Sequence, residues 1–409
     1  MPPSSPATWS CATGWGARIR LGARARAEYD FSPLKDGDVL EFGRVRLAVL
    51  ETPGHTPEGI SIVVYDLEES DRVPHAVLTG DTLFIGHVGR PDLMASAGFR
   101  AEDLASLLYD SLHQKLLRLP DETLVYPGHG AGSMCGKSLG QDTVSTLGVQ
   151  RRYNYALQPM SREEFVELIT SEQPEAPAYF RYDAELNRRE RPTLDQALTR
   201  ELRPLSLAEV LRAQREGAQV LDVREPADFA AGHLAGSTHI GLGGKFATWA
   251  GILLAPDRPI VTVATPGLEQ SAATRLGRIG FDTVLGYLEG GMEALRDRPD
   301  LVRRIDRITA PALRDLVGAA PLPVFDVRFE GEWRQEAIPG STNIPLNQLR
   351  QRIAEIPTDR PVVVYCQSGQ RSSTAASLLA QAGYTQVLDL IGGIAAWKVS
   401  PAQGVPAHV

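Results

Sequence analysis

Between residues 205 and 402 the chain writes one pattern twice. Leu221-Asp222-Val223-Arg224, Gly232-His233-Leu234-Ala235-Gly236-Ser237 and Gly290-Gly291 recur as Phe325-Asp326-Val327-Arg328, Ile338-Pro339-Gly340-Ser341 and Gly392-Gly393. The offsets are 102 to 104 residues. That spacing makes residues 205–300 and 305–402 two copies of one unit. In the second copy an apolar run, Val362-Val363-Val364-Tyr365, reads as a buried parallel strand.

The strand ends in Cys366, and Arg371-Ser372-Ser373 then opens an alanine-rich helix running to about Ala382. A thiol between a strand end and a helix N-terminus meets unpaired backbone N–H groups and the favourable end of the helix dipole. Arg371 adds a permanent positive charge. Together these features favour an anionic sulfur and a nucleophile. A lone thiol after a strand is more often a small core residue. Gly369, Arg371 and the serine pair weigh against that here. In the first copy the same loop reads Val263-Ala264-Thr265-Pro266-Gly267-Leu268-Glu269, with alanine at the cysteine position and glutamate at the arginine position. A glutamate there repels an anionic donor, so this copy is expected to be catalytically silent and to serve in docking or spacing.

Cys-x-x-Gly-x-Arg-Ser, the preceding Asp326-Val327-Arg328, Ile338-Pro339-Gly340-Ser341 and the closing Gly392-Gly393 with Trp397 resemble the rhodanese (thiosulfate sulfurtransferase) family. Ala337 stands where that family often has histidine. The resemblance implies that Cys366 carries a persulfide sulfur, cradled by the loop Gln367, Ser368, Gly369 and Gln370, and passes it to a thiophilic acceptor. Arg371 would stabilise the anionic donor or the persulfide.

At 409 residues the chain has room for two to four domains. Its net charge of −8 argues against nucleic-acid or membrane-surface partners. Three widely spaced cysteines form no disulfide framework and fit a reducing, cytoplasmic setting. No apolar run approaches a membrane span, and the first residues do not read as a secretory signal.

Before the repeats, Ala17–Leu21 and Arg44–Leu50 read as strands, with a turn at Lys35-Asp36-Gly37-Asp38. Three apolar runs then end in polar loops: Thr52-Pro53-Gly54-His55, Thr79-Gly80-Asp81 and Tyr126-Pro127-Gly128-His129. Imidazoles and a carboxylate on rigid strand ends are a common way to build a first-row metal site. A capping or hydrogen-bonding role is the commoner fate of each residue alone. Ser161 followed by Glu163 and Glu164 reads as a helix start. Arg188–Arg203 reads as a linker.

These motifs, with Phe84-Ile85-Gly86-His87-Val88-Gly89-Arg90-Pro91-Asp92, resemble the metallo-β-lactamase fold and, within it, the persulfide dioxygenase branch. That resemblance implies one Fe(II) per chain in a two-histidine, one-carboxylate site. His55 and Asp81 would be ligands, His129 a residue lying behind the ligands or belonging to a vestigial second metal, and Arg90 a contact for a glutathione-type carboxylate. Cys135 is a candidate second sulfur-handling thiol, or a passive packing residue. The family's His-x-His-x-Asp motif has no counterpart, because no histidine precedes His55. Residues 1–11, back-translated in another frame, can spell a histidine-bearing segment of the family type, so the missing motif is expected in upstream DNA. His75 and His87 are the nearest spare histidines.

The expected architecture is α/β: an N-terminally truncated metallo-β-lactamase-like αββα sandwich (1–190), a linker (191–204) and two rhodanese-like parallel-sheet domains (205–300 and 305–402). The expected function is oxidation of a thiol persulfide such as glutathione persulfide to sulfite, coupled through Cys366 to sulfur transfer among persulfide, sulfite and thiosulfate. Sulfur transfer alone, a metallo-hydrolase of glyoxalase or thioesterase type, and non-catalytic binding modules are the alternatives. A homo-oligomer is compatible with the sequence.

Overall fold

The computed structural model describes residues 16–130, 142–171, 186, 188–189, 202–319 and 322–399. Residues 1–11 and Cys135, and most of the expected linker, lie outside them. The chain divides into two compact units, 1–193 and 194–409.

In the first unit, β1 (Arg20–Gly22) pairs with β2 (Ser32–Leu34). A six-stranded sheet then runs in the order β3 (Val39–Phe42), β4 (Val45–Glu51), β5 (Ile60–Asp66), β6 (Ala76–Gly80), β7 (Leu124–Pro127) and β8 (Ser145–Thr146). Only β6 and β7 are parallel neighbours in it. The expected turn at Lys35–Asp38 forms: the Lys35 amide donates to the Asp38 carboxylate at 2.8 Å, and Gly37 takes the left-handed φ of +84°. The edge strand β3 escaped the sequence reading because Val39 and Phe42 are both exposed, so its apolar residues mark no buried face. The core gathers Val63, Val77 and Val125 from the sheet, with Leu108, Leu112 and Phe165 from the helical side. Ser161 caps helix Arg162–Thr170 in a reciprocal capping box with Glu164, as its sequence suggests.

The second unit contains two five-stranded parallel sheets of identical order. The first runs β9 (Pro204–Leu205), β14 (Val284–Leu288), β13 (Ile260–Val263), β10 (Gln219–Asp222), β12 (Thr238–His239). The second runs β16 (Asp306–Ile308), β20 (Val387–Leu390), β19 (Val362–Tyr365), β17 (Val324–Asp326), β18 (Thr342–Asn343). A short antiparallel pair, β11 (His233–Leu234) with β15 (Val302–Arg303), lies outside both sheets. All four residues of β19 are buried, as a central strand covered on both faces requires. One hydrophobic core joins the two repeats: Leu221, Phe246 and Leu276 from the first belong to the same cluster as Phe325, Val364 and Leu379 from the second.

Candidate functional site

Strand β19 delivers Cys366 to the mouth of the second sheet, where the residue is 1% exposed. The chain turns back through Gly369, whose φ of +103° suits glycine, so that its N–H donates to the Cys366 Sγ at 3.2 Å. Helix Gln370–Gln381 follows at once, one residue earlier than the sequence suggested. The closing glycine pair has a physical reason in this structure. Gly393 (φ +58°) starts helix Gly393–Val399 against the loop, and the Ile394 and Ala395 amides donate to the Cys366 and Gln367 carbonyls at 2.8 and 3.2 Å. A Cβ on Gly393 would stand 2.8 Å from the Gln367 carbonyl carbon and closer still to the Cys366 carbonyl oxygen.

Both arginines at this mouth are internally paired. Arg371 makes a two-point contact with Glu332, 2.7 Å on each side. Arg328 grips Asp326 and donates to the Gln367 side chain at 3.3 Å. Burial would raise the Glu332 carboxyl, but the Arg371 hydrogen bonds and charge outweigh it and hold Glu332 ionised. The loop amide and helix dipole therefore face the sulfur beside a cation whose charge is already largely balanced. Below the loop, Ser372 donates to Asp389 at 2.6 Å, and burial pushes the Asp389 carboxyl up to about 6. Ser368 is exposed at the loop tip, and Gln370 packs towards Gly241 of the first repeat.

In that first repeat, Ala264 follows β13 and is buried, and Glu269 turns back to accept from the Gly267 amide at 2.8 Å. A hollow lined by Arg224, Ala264, Thr265, Gly291 and Arg304 lies over it.

The three strand-end residues of the first unit do come together. Asp81 lies between two imidazoles, with His55 Nε2 3.6 Å from one carboxylate oxygen and His129 Nε2 3.4 Å from the other. His55 is buried, and its Nδ1 is 2.8 Å from the Arg90 carbonyl, which leaves Nε2 as the atom facing the carboxylate. Burial would raise the Asp81 carboxyl; the His129 hydrogen bond and the His55 charge outweigh it and hold Asp81 well below the usual carboxylate range. Two glycines keep the space open: a Cβ on Gly128 would stand 2.8 Å from the Asp81 Oδ1, and one on Gly89 would stand 2.9 Å from the His55 Cβ. Two imidazoles and a carboxylate in a glycine-walled cleft fit a first-row metal in kind. Among the described residues, however, no group of three or more His, Cys, Asp or Glu side chains gathers as a metal cage.

Arg90 is 1% exposed, and its guanidinium holds Asp92 at 2.9 and 2.6 Å. Its service to the cleft is its carbonyl bond to His55. His75 precedes β6 at the end opposite Asp81, where it lies 3.6 Å from Glu69.

Comparison with known proteins follows the same division. Residues 206–298 and 309–400 each match the rhodanese-like domain, and residues 6–129 match the metallo-beta-lactamase superfamily. A sulfurtransferase of Allochromatium vinosum is 47% identical over 74 residues, 18% of this chain and 69% of that protein. The chain belongs to the rhodanese family. It carries two rhodanese-like domains behind a metallo-beta-lactamase domain. The mitochondrial persulfide dioxygenase ETHE1 of Bos taurus is 34% identical over 137 residues, 33% of this chain and 44% of that protein. The chain thus spans less than half the length of the persulfide dioxygenases it matches. A metallo-beta-lactamase structure from Staphylococcus aureus covers 68% of this chain and 78% of its own at 26% identity, with a TM-score of 0.58. These relatives support an enzyme of sulfur metabolism, and the metallo-beta-lactamase match suggests a metal cofactor.

Sequence reasoning missed Glu332, the partner of the rhodanese loop arginine. A signal existed: Asp228 occupies the matching place in the first repeat, so both copies carry an acid four residues after Asp-Val-Arg. His239 carried no comparable signal, because its partner Ser373 lies 134 residues away in the other repeat.

Proposed function

We propose that this chain is a persulfide-forming sulfurtransferase at Cys366, coupled to oxidation of a low-molecular-weight thiol persulfide in the metallo-beta-lactamase domain. The observation that carries the first half is the Cys366 sulfur itself, held at a strand end with the Gly369 amide pointing at it and the N-terminus of helix Gln370–Gln381 behind. The thiolate attacks the outer sulfur of a donor such as glutathione persulfide or thiosulfate. An S–S bond forms to Cys366 as the donor's own S–S bond breaks, and a thiolate or sulfite leaves. A thiolate, sulfite or cyanide acceptor then takes the outer sulfur and returns Cys366 to the thiolate, with no net oxidation. Glu332 holds the Arg371 guanidinium beside the loop, and Asp389 fixes Ser372 in the helix's first turn.

In the front domain His55 and Asp81 would hold an iron(II) ion, with His129 on the other oxygen of the same carboxylate. Iron there would supply activation of dioxygen for conversion of the persulfide to sulfite and free thiol. Arg90 orients His55 through its carbonyl, and Gly89 and Gly128 keep the cleft open. Sulfur transfer alone is the second reading; it is supported by the Cys366 sulfur and its Gly369 amide donor, which need no residue of the front domain.

The test is Cys366→Ser, assayed with thiosulfate and with glutathione persulfide against a cyanide or sulfite acceptor. Transfer should fall to background with every donor. Unchanged transfer would place the chemistry elsewhere.

A further inference from the structure

The helix behind Cys366 is fastened from outside its own domain. At its first turn, the Ser373 hydroxyl lies 3.0 Å from His239 Nδ1, and the His239 amide donates to Ser377 at 3.0 Å. At its last residue, Gln381 donates to the Gly236 carbonyl and the Thr238 hydroxyl at 3.0 and 2.8 Å. Ahead of these, at the helix's first residue, Gln370 packs so near Gly241 that a Cβ there would stand 3.0 Å from its Oε1. Residues 236–241 of the cysteine-free repeat therefore run along the catalytic helix from start to end.

His239 is fully buried. Its Nε2 is 2.9 Å from the Arg224 carbonyl, which can only accept, so Nε2 carries the proton. Nδ1 then offers a lone pair, and the Ser373 hydroxyl donates into it. Burial holds the ring neutral, with its pKa pushed down to about 4. The repeat supplies an internal comparison. Asn343 occupies the matching place on β18 and donates to the Asp326 and Arg328 carbonyls at 2.9 Å each. Asparagine thus suffices to tie this strand to its Asp-Val-Arg segment. The histidine adds the reach across to the neighbouring helix.

We propose that His239 is a positioning residue for the Cys366 loop, acting through Ser373, and that holding this loop in place is a function of the cysteine-free rhodanese repeat. The proposal rests on Cys366 being the working thiol, but its test can be read without turnover.

In the full chain, His239→Asn keeps a donor for the Arg224 carbonyl and removes only the link to Ser373; Ser373→Ala removes the same link from the other side. Two quantities are measured: the alkylation rate of Cys366 by iodoacetamide across pH 6 to 9, mapped to its own peptide, and kcat and KM for sulfur transfer. Each single variant should lower kcat and slow Cys366 alkylation by about tenfold, with KM little changed. The double variant should be no worse than either single one. Wild-type alkylation and kcat in a folded Ser373→Ala chain would overturn the proposal, as would losses that multiply in the double variant. If His239→Asn fails to fold, Ser373→Ala alone decides it. A wild type that transfers no sulfur would refute the proposed function, while the alkylation profiles would still decide the role of His239.

Discussion

Gly393→Ala isolates what the closing glycine pair does, because the chain contains its own control. Gly393 and its counterpart Gly291 share nearly the same left-handed backbone, with φ of +58° and +55°. An alanine in that region costs about 1 kcal/mol at either place. Their surroundings differ. The new Cβ at 291 would meet the Ala264 carbonyl oxygen at 3.4 Å, an ordinary contact. At 393 it would push into the Cys366 and Gln367 carbonyls, with the Gln367 carbon at 2.8 Å. The helix start must back away, which forfeits the hydrogen bonds from the Ile394 and Ala395 amides to those carbonyls. Two lost bonds at about 1 kcal/mol each bring the expected cost of Gly393→Ala to about 3 kcal/mol, against about 1 for Gly291→Ala. With a urea dependence of about 2 kcal/mol per molar, the midpoints should fall by about 1.5 M and about 0.5 M. Unfolding can be followed through Trp249, Trp333 and Trp397, all in this unit. Sulfur transfer should collapse in the first variant and survive in the second. Equal midpoint shifts, or a fully active Gly393→Ala, would refute the reasoning.

Asp389→Asn tests the buried carboxyl beneath the loop. Its folded-state pKa of about 6 lies above the ordinary carboxylate value, so its contribution is complete at acid pH and lost as pH rises through 6. The wild type should lose about 1 kcal/mol of stability between pH 5 and pH 8 that the variant keeps, measured as the change in urea midpoint; parallel pH profiles would contradict this. In the front domain, Asp81→Asn should weaken ferrous binding, after anaerobic reconstitution, by at least about tenfold. Equal iron retention in the variant and the wild type would remove His55, Asp81 and His129 from consideration as the metal cleft.

The repeat, the missing cysteine of the first copy and the place of Cys366 at a strand end were legible because they depend on short-range signals. β19 is a short β-branched, apolar run bounded by turn residues, the mark of a covered strand, and Cys-x-x-Gly-x-Arg compresses a turn and a helix start into one loop. The same holds for His55, Asp81 and His129, each written in the loop that follows a strand. The edge strand β3 was not legible, since exposure erases the alternation that marks a strand. Arg90 shows the limit in another form: its pairing with Asp92 and its carbonyl contact to His55 could not be read from residue type, which does not tell which way a side chain faces.

The sequence by itself determined the order of domains, which repeat carries the loop cysteine, and which residues could meet a metal. Only the tertiary structure decided the electrostatics and mechanics of these sites. Arg371 is balanced by Glu332 from 39 residues away, and Ser373 is held by His239 from the other repeat. Gly393 is required because its missing side chain makes room for the Cys366 carbonyl. The physical reason is common to all three. Hydrogen bonds and close contacts depend on distances of a few ångströms between segments far apart in the chain, and those distances exist only once the two sheets share a core.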